Sequence, residues 1–168
     1  VSVPGGNRWR AALAALAVVA VLACAWFGWS WWSAEHSDFA RRADDRDAAL
    51  QAGTEGLARL YTIDHGTAGS DVDAWINVTE GSLSEEFRKD RRSHIERARE
   101  RRISSTAQVR HGALSALDIQ AGRASMLAVL NVEVATDGGE RTNKRSTLLA
   151  ELRRTEGGWK ISSVQAQR

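Results

Sequence analysis

The sequence predicts an α+β protein: a single N-terminal transmembrane helix, then helices packed on a curved four-stranded antiparallel sheet. Three observations predict it. Residues 11–34 contain no charged side chain. From about residue 39 to 98, apolar residues recur at three- and four-residue steps, the period of a helix with one buried face. From about residue 107 onward they tend to alternate, with glycine-containing turns between the runs. With 168 residues, the chain has room for one modest folded domain beside the apolar rod.

Residues 11–33 form a run of about the length needed to cross a hydrocarbon core of roughly 30 Å at about 1.5 Å per residue. Trp9 stands at one end, and Trp26, Trp29, Trp31 and Trp32 crowd the other. Indole rings favour the headgroup level, so these five are predicted interfacial anchors. Arg8 and Arg10 precede the run, whereas Glu35 and Asp38 follow it. That bias predicts residues 1–10 as a short cytoplasmic tail and the C-terminal domain as extracytoplasmic. The tryptophan cluster lies where a signal peptidase would cut, which argues against a cleaved signal peptide. Cys24 is the only cysteine. Val21-Leu22-Ala23-Cys24 has a faint likeness to a lipoprotein box, but aromatic residues follow it where a polar tether belongs. Cys24 therefore reads as an inert membrane cysteine, and the rest of the chain has no thiol for zinc or redox chemistry.

Residues 34–61 are predicted as a helical stalk and first domain helix, with Phe39, Ala43, Leu50, Gly53, Leu57 and Leu60 on one face. No proline or glycine pair separates this helix from the apolar rod, so the two are expected to be continuous. Residues 62–168 form the remainder of the domain. Thr62-Ile63-Asp64-His65-Gly66 reads as a break. Ser70 or Asp71 is expected to cap a short helix that buries Val72, Trp75 and Ile76. Ser82 is expected to cap the next, with Glu85 as its capping-box partner and Leu83, Phe87, Ile95 and Ala98 facing inward.

The last third changes period. Ala107, Val109, Leu114, Leu117 and Ile119 predict a first strand, with Gly112 as its bulge. Met126, Ala128, Leu130, Val132 and Val134 share one face of a second strand, while Leu127 and Val129 lie on the other. After the Thr136-Asp137-Gly138-Gly139 turn, Leu148, Ala150 and Leu152 alternate in a third. Glu156-Gly157-Gly158 makes another turn, and Trp159 and Ile161 open a short fourth strand. Turns this short join antiparallel neighbours, so the sheet is a meander with one face buried under the helices.

The net charge is +2, but Arg8 and Arg10 account for it. The remainder balances 21 basic against 21 acidic residues. No one-signed track follows from that, which excludes a nucleic-acid partner. His36, His65, His94 and His111 are scattered without metal-ligand spacing, and no phosphate loop, dinucleotide fingerprint or nucleophile elbow is present. No metal, cofactor or catalytic residue is therefore expected. His94 beside Glu96 reads as part of a solvated face. A pocket pairing Tyr61, the only tyrosine, with Asp118 is the one acid–base arrangement the strands suggest. The plainer reading is a core-edge phenol and a strand-end carboxylate, so the chain is predicted to be non-enzymatic.

The most pronounced local feature is basic: Arg88, Lys89, Arg91 and Arg92, then Arg97, Arg99, Arg101 and Arg102. Glu85, Glu86, Asp90, Glu96 and Glu100 interleave it at spacings that permit intrahelical pairs, which predicts a self-neutralised solvated helix over 85–102. The functional reading makes Arg88, Lys89, Arg91, Arg92, Arg99 and Arg102 a dock for an acidic partner or anionic lipid headgroups.

The order of these features resembles a known family. A basic start, one span and a helix ending near Leu60-Tyr61 come first. Trp75 and the segment from Gly81 to Phe87 follow, then the strands around Ala128–Val134 and a terminal Gly157-Gly158-Trp159-Lys160-Ile161-Ser162. This resembles the actinobacterial Mce-associated membrane proteins, accessory partners of the Mce lipid importers. The resemblance implies a cone-like outside domain of the cystatin or nuclear-transport-factor-2 kind, a fold also seen in VirB-type secretion components. It implies Mce substrate-binding proteins or permease subunits, together with membrane lipid, as partners, and it carries over no catalytic residue. Two alternatives share the layout: a VirB-type secretion or conjugation channel component, and a small-ligand-binding, isomerase-like cone domain.

Overall fold

The computed structural model describes the backbone of residues 6–136 and 141–167, and the side chains of residues 16–18, 20–22, 24–26, 42–135 and 141–167. The elements are α1 (Gly6–Leu60), α2 (Ala68–Val78), α3 (Gly81–Lys89), α4 (Arg91–Glu100), β1 (Ile103–Asp118), β2 (Arg123–Thr136), β3 (Thr142–Thr155) and β4 (Gly158–Gln167). They divide into two compact units, Val1–Ala43 and Asp44–Arg168.

α1 is helical from Gly6, inside the stretch expected as a tail, and runs unbroken to Leu60, as the lack of a proline or glycine pair predicts. Leu16, Val21, Leu22 and Trp26 are all more than three-fifths exposed. Among the described residues no helix is long and apolar enough to cross a membrane. The predicted span at 11–33 falls largely on side chains outside the described residues, as do the anchors Trp9, Trp29, Trp31 and Trp32.

In the second unit the sheet is the predicted antiparallel meander, in the order β1-β2-β3-β4. Its core joins Ala49 and Leu57 of α1 to Met126, Ala128 and Leu130 of β2, Leu148, Ala150 and Leu152 of β3, and Trp159 and Ile161 of β4. Each fully buried leucine, isoleucine or methionine among them contributes about 1.5–3 kcal/mol. The helix approaches the strands at glycines. A Cβ on Gly53 would stand 2.5 Å from Met126 Sδ and 3.2 Å from Leu152 Cδ2, and one on Gly56 2.9 Å from Ile161 Cδ1. Ala43, expected on this apolar face, is instead exposed. Arg154 pairs with Asp45 at 3.0 Å and ties β3 to the same helix.

Several local expectations are corrected. β1 contains two irregularities, between Val109 and His111 and between Leu114 and Ala116, and neither is at Gly112. Gly112 is instead a close-approach site, where a Cβ would run into Met126 Cε. Each extra residue flips the side-chain alternation, which is why the inward series runs 107, 109, then 112, 114, then 117. Ile119 falls in the turn beyond β1, and β4 is ten residues long rather than short.

The helices also start and stop differently. α2 begins at Ala68, ahead of both expected caps. The Ser70 hydroxyl donates to the Thr67 carbonyl, while Asp71 Oδ2 accepts from the Thr67 hydroxyl. α3 begins at Gly81 after Glu80 with no side-chain cap, so the Ser82–Glu85 capping box does not form. The single helix expected over 85–102 breaks at Asp90, whose φ of −95° and ψ of 10° separate α3 from α4. The two pieces serve different cores. Leu83 packs on the sheet cluster, whereas Ile95 and Ala98 join Ala68 and Val72 of α2 in a second cluster.

Gly53→Leu is expected to lower unfolding stability by about 1–3 kcal/mol through overpacking. Leu152→Ala, which opens a cavity from the other side, is expected to cost about 2–5 kcal/mol. Denaturant titration of the full chain checks both, and a neutral Gly53→Leu would mean that α1 is not seated on β2 and β3.

Candidate functional site

Of the residues predicted to carry function, Arg88 and Lys89 stand on α3 and Arg91, Arg92 and Arg99 on α4, beside the corner that these helices build with α2. Trp75 on α2 is fixed there by its indole N–H, which donates to the Thr62 carbonyl at 3.0 Å. Its ring lies 5.6 Å from Phe87 on α3 and 5.6 Å, edge-on, from His94 on α4. Phe87 and His94 complete the triangle at 5.8 Å. Such tilted and edge-to-face pairs are favoured by ring quadrupoles. His94 is thus half-buried between two aromatic rings, which corrects its reading as part of a solvated face. Burial holds its pKa below the ordinary histidine value and the Arg97 charge adds to this, while Asp90 and Glu86 oppose it.

The basic residues divide into one that builds structure and several that do not. Arg91 makes a two-pronged contact with Asp73 on α2, Nε to Oδ1 at 2.7 Å and Nη2 to Oδ2 at 2.8 Å. That hydrogen bond from Arg91, more than its charge, lowers the Asp73 pKa. Arg91 is therefore a brace between α4 and α2 rather than a free docking residue. Arg97 turns back on its own helix, donating from Nε to the Ser93 carbonyl at 3.1 Å. Arg88, Lys89, Arg92 and Arg99 are exposed, and among the described residues none has a carboxylate within 4 Å. Among the described residues no ion pair within 4 Å joins Glu85, Glu86, Asp90, Glu96 or Glu100 to Arg88, Lys89, Arg92 or Arg99. The carboxylates nevertheless lie among the cations and dilute their field. Arg102 is exposed and takes a left-handed φ of 44° just before β1.

The suggested Tyr61–Asp118 pocket is not assembled. The Ser105 hydroxyl donates to the Tyr61 carbonyl at 2.9 Å, which places Tyr61 beside the start of β1. Asp118 ends that strand, exposed, and accepts the Ala121 N–H at 2.9 Å. The two thus stand at opposite ends of β1, a strand of 16 residues. The phenol packs at the edge of the sheet core, and burial raises its pKa. Among the described residues no group of His, Cys, Asp and Glu is placed to hold a metal ion.

The clasp at residues 64–71 was not anticipated from sequence. Asp64 accepts the Gly66 N–H at 2.8 Å and the Ser104 hydroxyl at 2.6 Å, and Asp71 Oδ2 accepts the Asp64 N–H at 2.9 Å. The Ser104 bond first, then the Gly66 amide, holds the Asp64 carboxyl below the usual carboxylate range. The Asp-x-Gly spacing, which favours a side-chain-to-backbone turn, is the signal that marks it.

Comparison of the sequence with protein-family models and with curated proteins gives no match. Solved structures do share the fold. An IcmL-like type IV secretion system protein from Legionella pneumophila superimposes with a TM-score of 0.59 at 12% identity, over 73% of this chain and 91% of its own. CagV, a VirB8 homologue of the Helicobacter pylori type IV secretion system, gives 0.57 at 8% identity, over 72% and 97%. The VirB8 protein of Agrobacterium tumefaciens gives 0.53 at 13%, over 74% and 92%. The folded unit is an α+β domain of the VirB8 fold.

Because His94 has a folded pKa below its unfolded value near 6.5, the folded chain binds this proton less readily. Its stability contribution is present above that value and declines as pH falls below it. The unfolding midpoint is expected to drop between about pH 7 and about pH 5, and His94→Phe, which keeps a ring, is expected to flatten the drop. Parallel pH profiles for the two proteins would remove His94 as the cause.

Proposed function

We propose that this chain is a non-enzymatic, membrane-anchored assembly subunit of an envelope transport complex of the type IV secretion or conjugation kind. The observation that carries the reading is the fold shared over more than nine-tenths of the secretion-system domains. The uncharged residues 11–34 support the anchor, and Leu16, Val21, Leu22 and Trp26 expose apolar surface that lipid would cover. The flanking charges favour a cytoplasmic N-terminus and an extracytoplasmic domain. On this reading the role is positional: the rod locates the chain and the folded unit presents surfaces to partners. Arg88, Lys89, Arg92 and Arg99 then contact an acidic partner or anionic headgroups at short range, since carboxylates lie between them.

A second reading, an accessory subunit of an Mce-type lipid importer, is favoured by the feature order through Gly157-Gly158-Trp159-Lys160-Ile161-Ser162. Affinity capture of the full chain in mild detergent, with mass-spectrometric identification of its companions, tests both. Secretion-channel subunits are expected, and they should be lost when residues 8–34 are deleted. Lipid-importer permease or substrate-binding subunits would transfer the role to the second reading. Recovery of a bare monomer from native membranes would defeat the assembly role.

A further inference from the structure

The face of the sheet opposite the core contains a polar depression of about 470 Å³ near the β2–β3 end. Cross-strand pairing builds it. Gln108, Asn131 and Arg145 stand in one row across β1, β2 and β3, and Thr106, Glu133 and Asn143 in the next. The first β1 irregularity adds Arg110 as an extra residue between Val109 and His111, and its side chain lines the same depression. Bulges commonly re-aim a side chain in this way. Lys144 completes the lining.

Charge and amide content distinguish this surface from the basic helices. Glu133 is its one acidic group, and Arg141 engages it at 3.3 Å. Arg110 and Lys144 have no carboxylate within 4 Å among the described residues, and Arg145 makes only a long 3.4 Å contact to the Asn131 side-chain oxygen. Asparagine is disfavoured in strands, yet Asn131 and Asn143 sit within two paired strands. Side-chain amides both donate and accept, as peptide groups do, whereas a phosphate only accepts. Guanidinium groups fit carboxylates in a two-pronged geometry.

We infer that this depression binds an acidic peptide segment of a partner protein, with Arg110 and Arg145 holding its carboxylates and Gln108, Asn131 and Asn143 its backbone. This deepens the proposed assembly role by naming a partner chemistry, and it stands on the sheet face whichever complex the chain serves. The volume lies in the range of small binding sites, enough for a few residues.

The test presents the full chain in detergent to an array of short peptides of fixed length. Carboxylate number rises stepwise along the array, and Gln/Asn counterparts serve as controls. Retention is expected to grow with carboxylate count, and Arg110→Gln/Arg145→Gln should reduce it at least tenfold. Arg59→Gln/Arg123→Gln, two exposed arginines outside the depression and outside the basic helices, should reduce it less than threefold. Circular dichroism confirms that each variant folds. Equal retention of acidic and amide peptides, or a larger loss from the Arg59→Gln/Arg123→Gln control, would overturn the site. So would retention of vesicles containing phosphatidylglycerol but of no peptide. Companions captured by the full chain yet insensitive to Arg110→Gln/Arg145→Gln would leave the assembly role standing and remove this site.

Discussion

The close approach of α1 to the sheet is the constraint on which the rest of the folded unit depends. Gly53 and Gly56 bring the helix backbone down onto Met126, Leu152 and Ile161, where any side chain at those positions would collide. Ile161 is then the point to which the other helices are registered. Its carbonyl accepts the Glu80 N–H at 2.9 Å, and Thr79 bridges to it in parallel. The α2–α3 junction is thereby held against β4 by the residue that α1 covers. At the other edge, Ile63 exchanges two backbone bonds with Ser105, so the chain leaving α1 is tied at once to β1.

The helical corner needs a second set of ties because it is too small to hold itself by burial. Among the described residues its cluster has Ala68, Val72, Ile95 and Ala98 as buried apolar members, all but Ile95 small. The Trp75 indole bond, the Arg91–Asp73 brace and the Asp64 clasp supply directional contacts in their place. Exposed ion pairs of this kind add little individually, but they fix the angle between short helices. The charges of Asp71, Asp73 and Arg91 thus serve geometry.

The sheet and its register were legible in the sequence because burial on one face forces a period of two. The alternation at 126–134 and 148–152 therefore located β2 and β3 directly. β1 was legible only in outline. Its apolar positions change parity after Val109 and again after Leu114, and that double change marks the two extra residues better than Gly112 does. The α3–α4 break was equally present in the pattern: the inward series 83, 87, 95, 98 omits 91, where a charged residue turns to Asp73 instead. His94 was misread because periodicity places a side chain on a face but does not say which ring from another helix will cover it. Of the Asp64 clasp, the Asp-x-Gly turn is written in the local pattern, but the bond from Ser104, forty positions away, is not.

The same close packing bears on the isomerase-like alternative. A small-molecule pocket in such a fold needs a hollow between the first helix and the inner face of the sheet. Here that space is occupied: Met126, Leu152 and Ile161 are essentially without solvent exposure, and glycines on α1 close the remaining gap. Tyr61 and Asp118 stand at opposite ends of β1, so an acid–base pair would have to be recruited from elsewhere. The inner face is committed to holding α1, which leaves the outer face and the helical corner as the surfaces available for recognition.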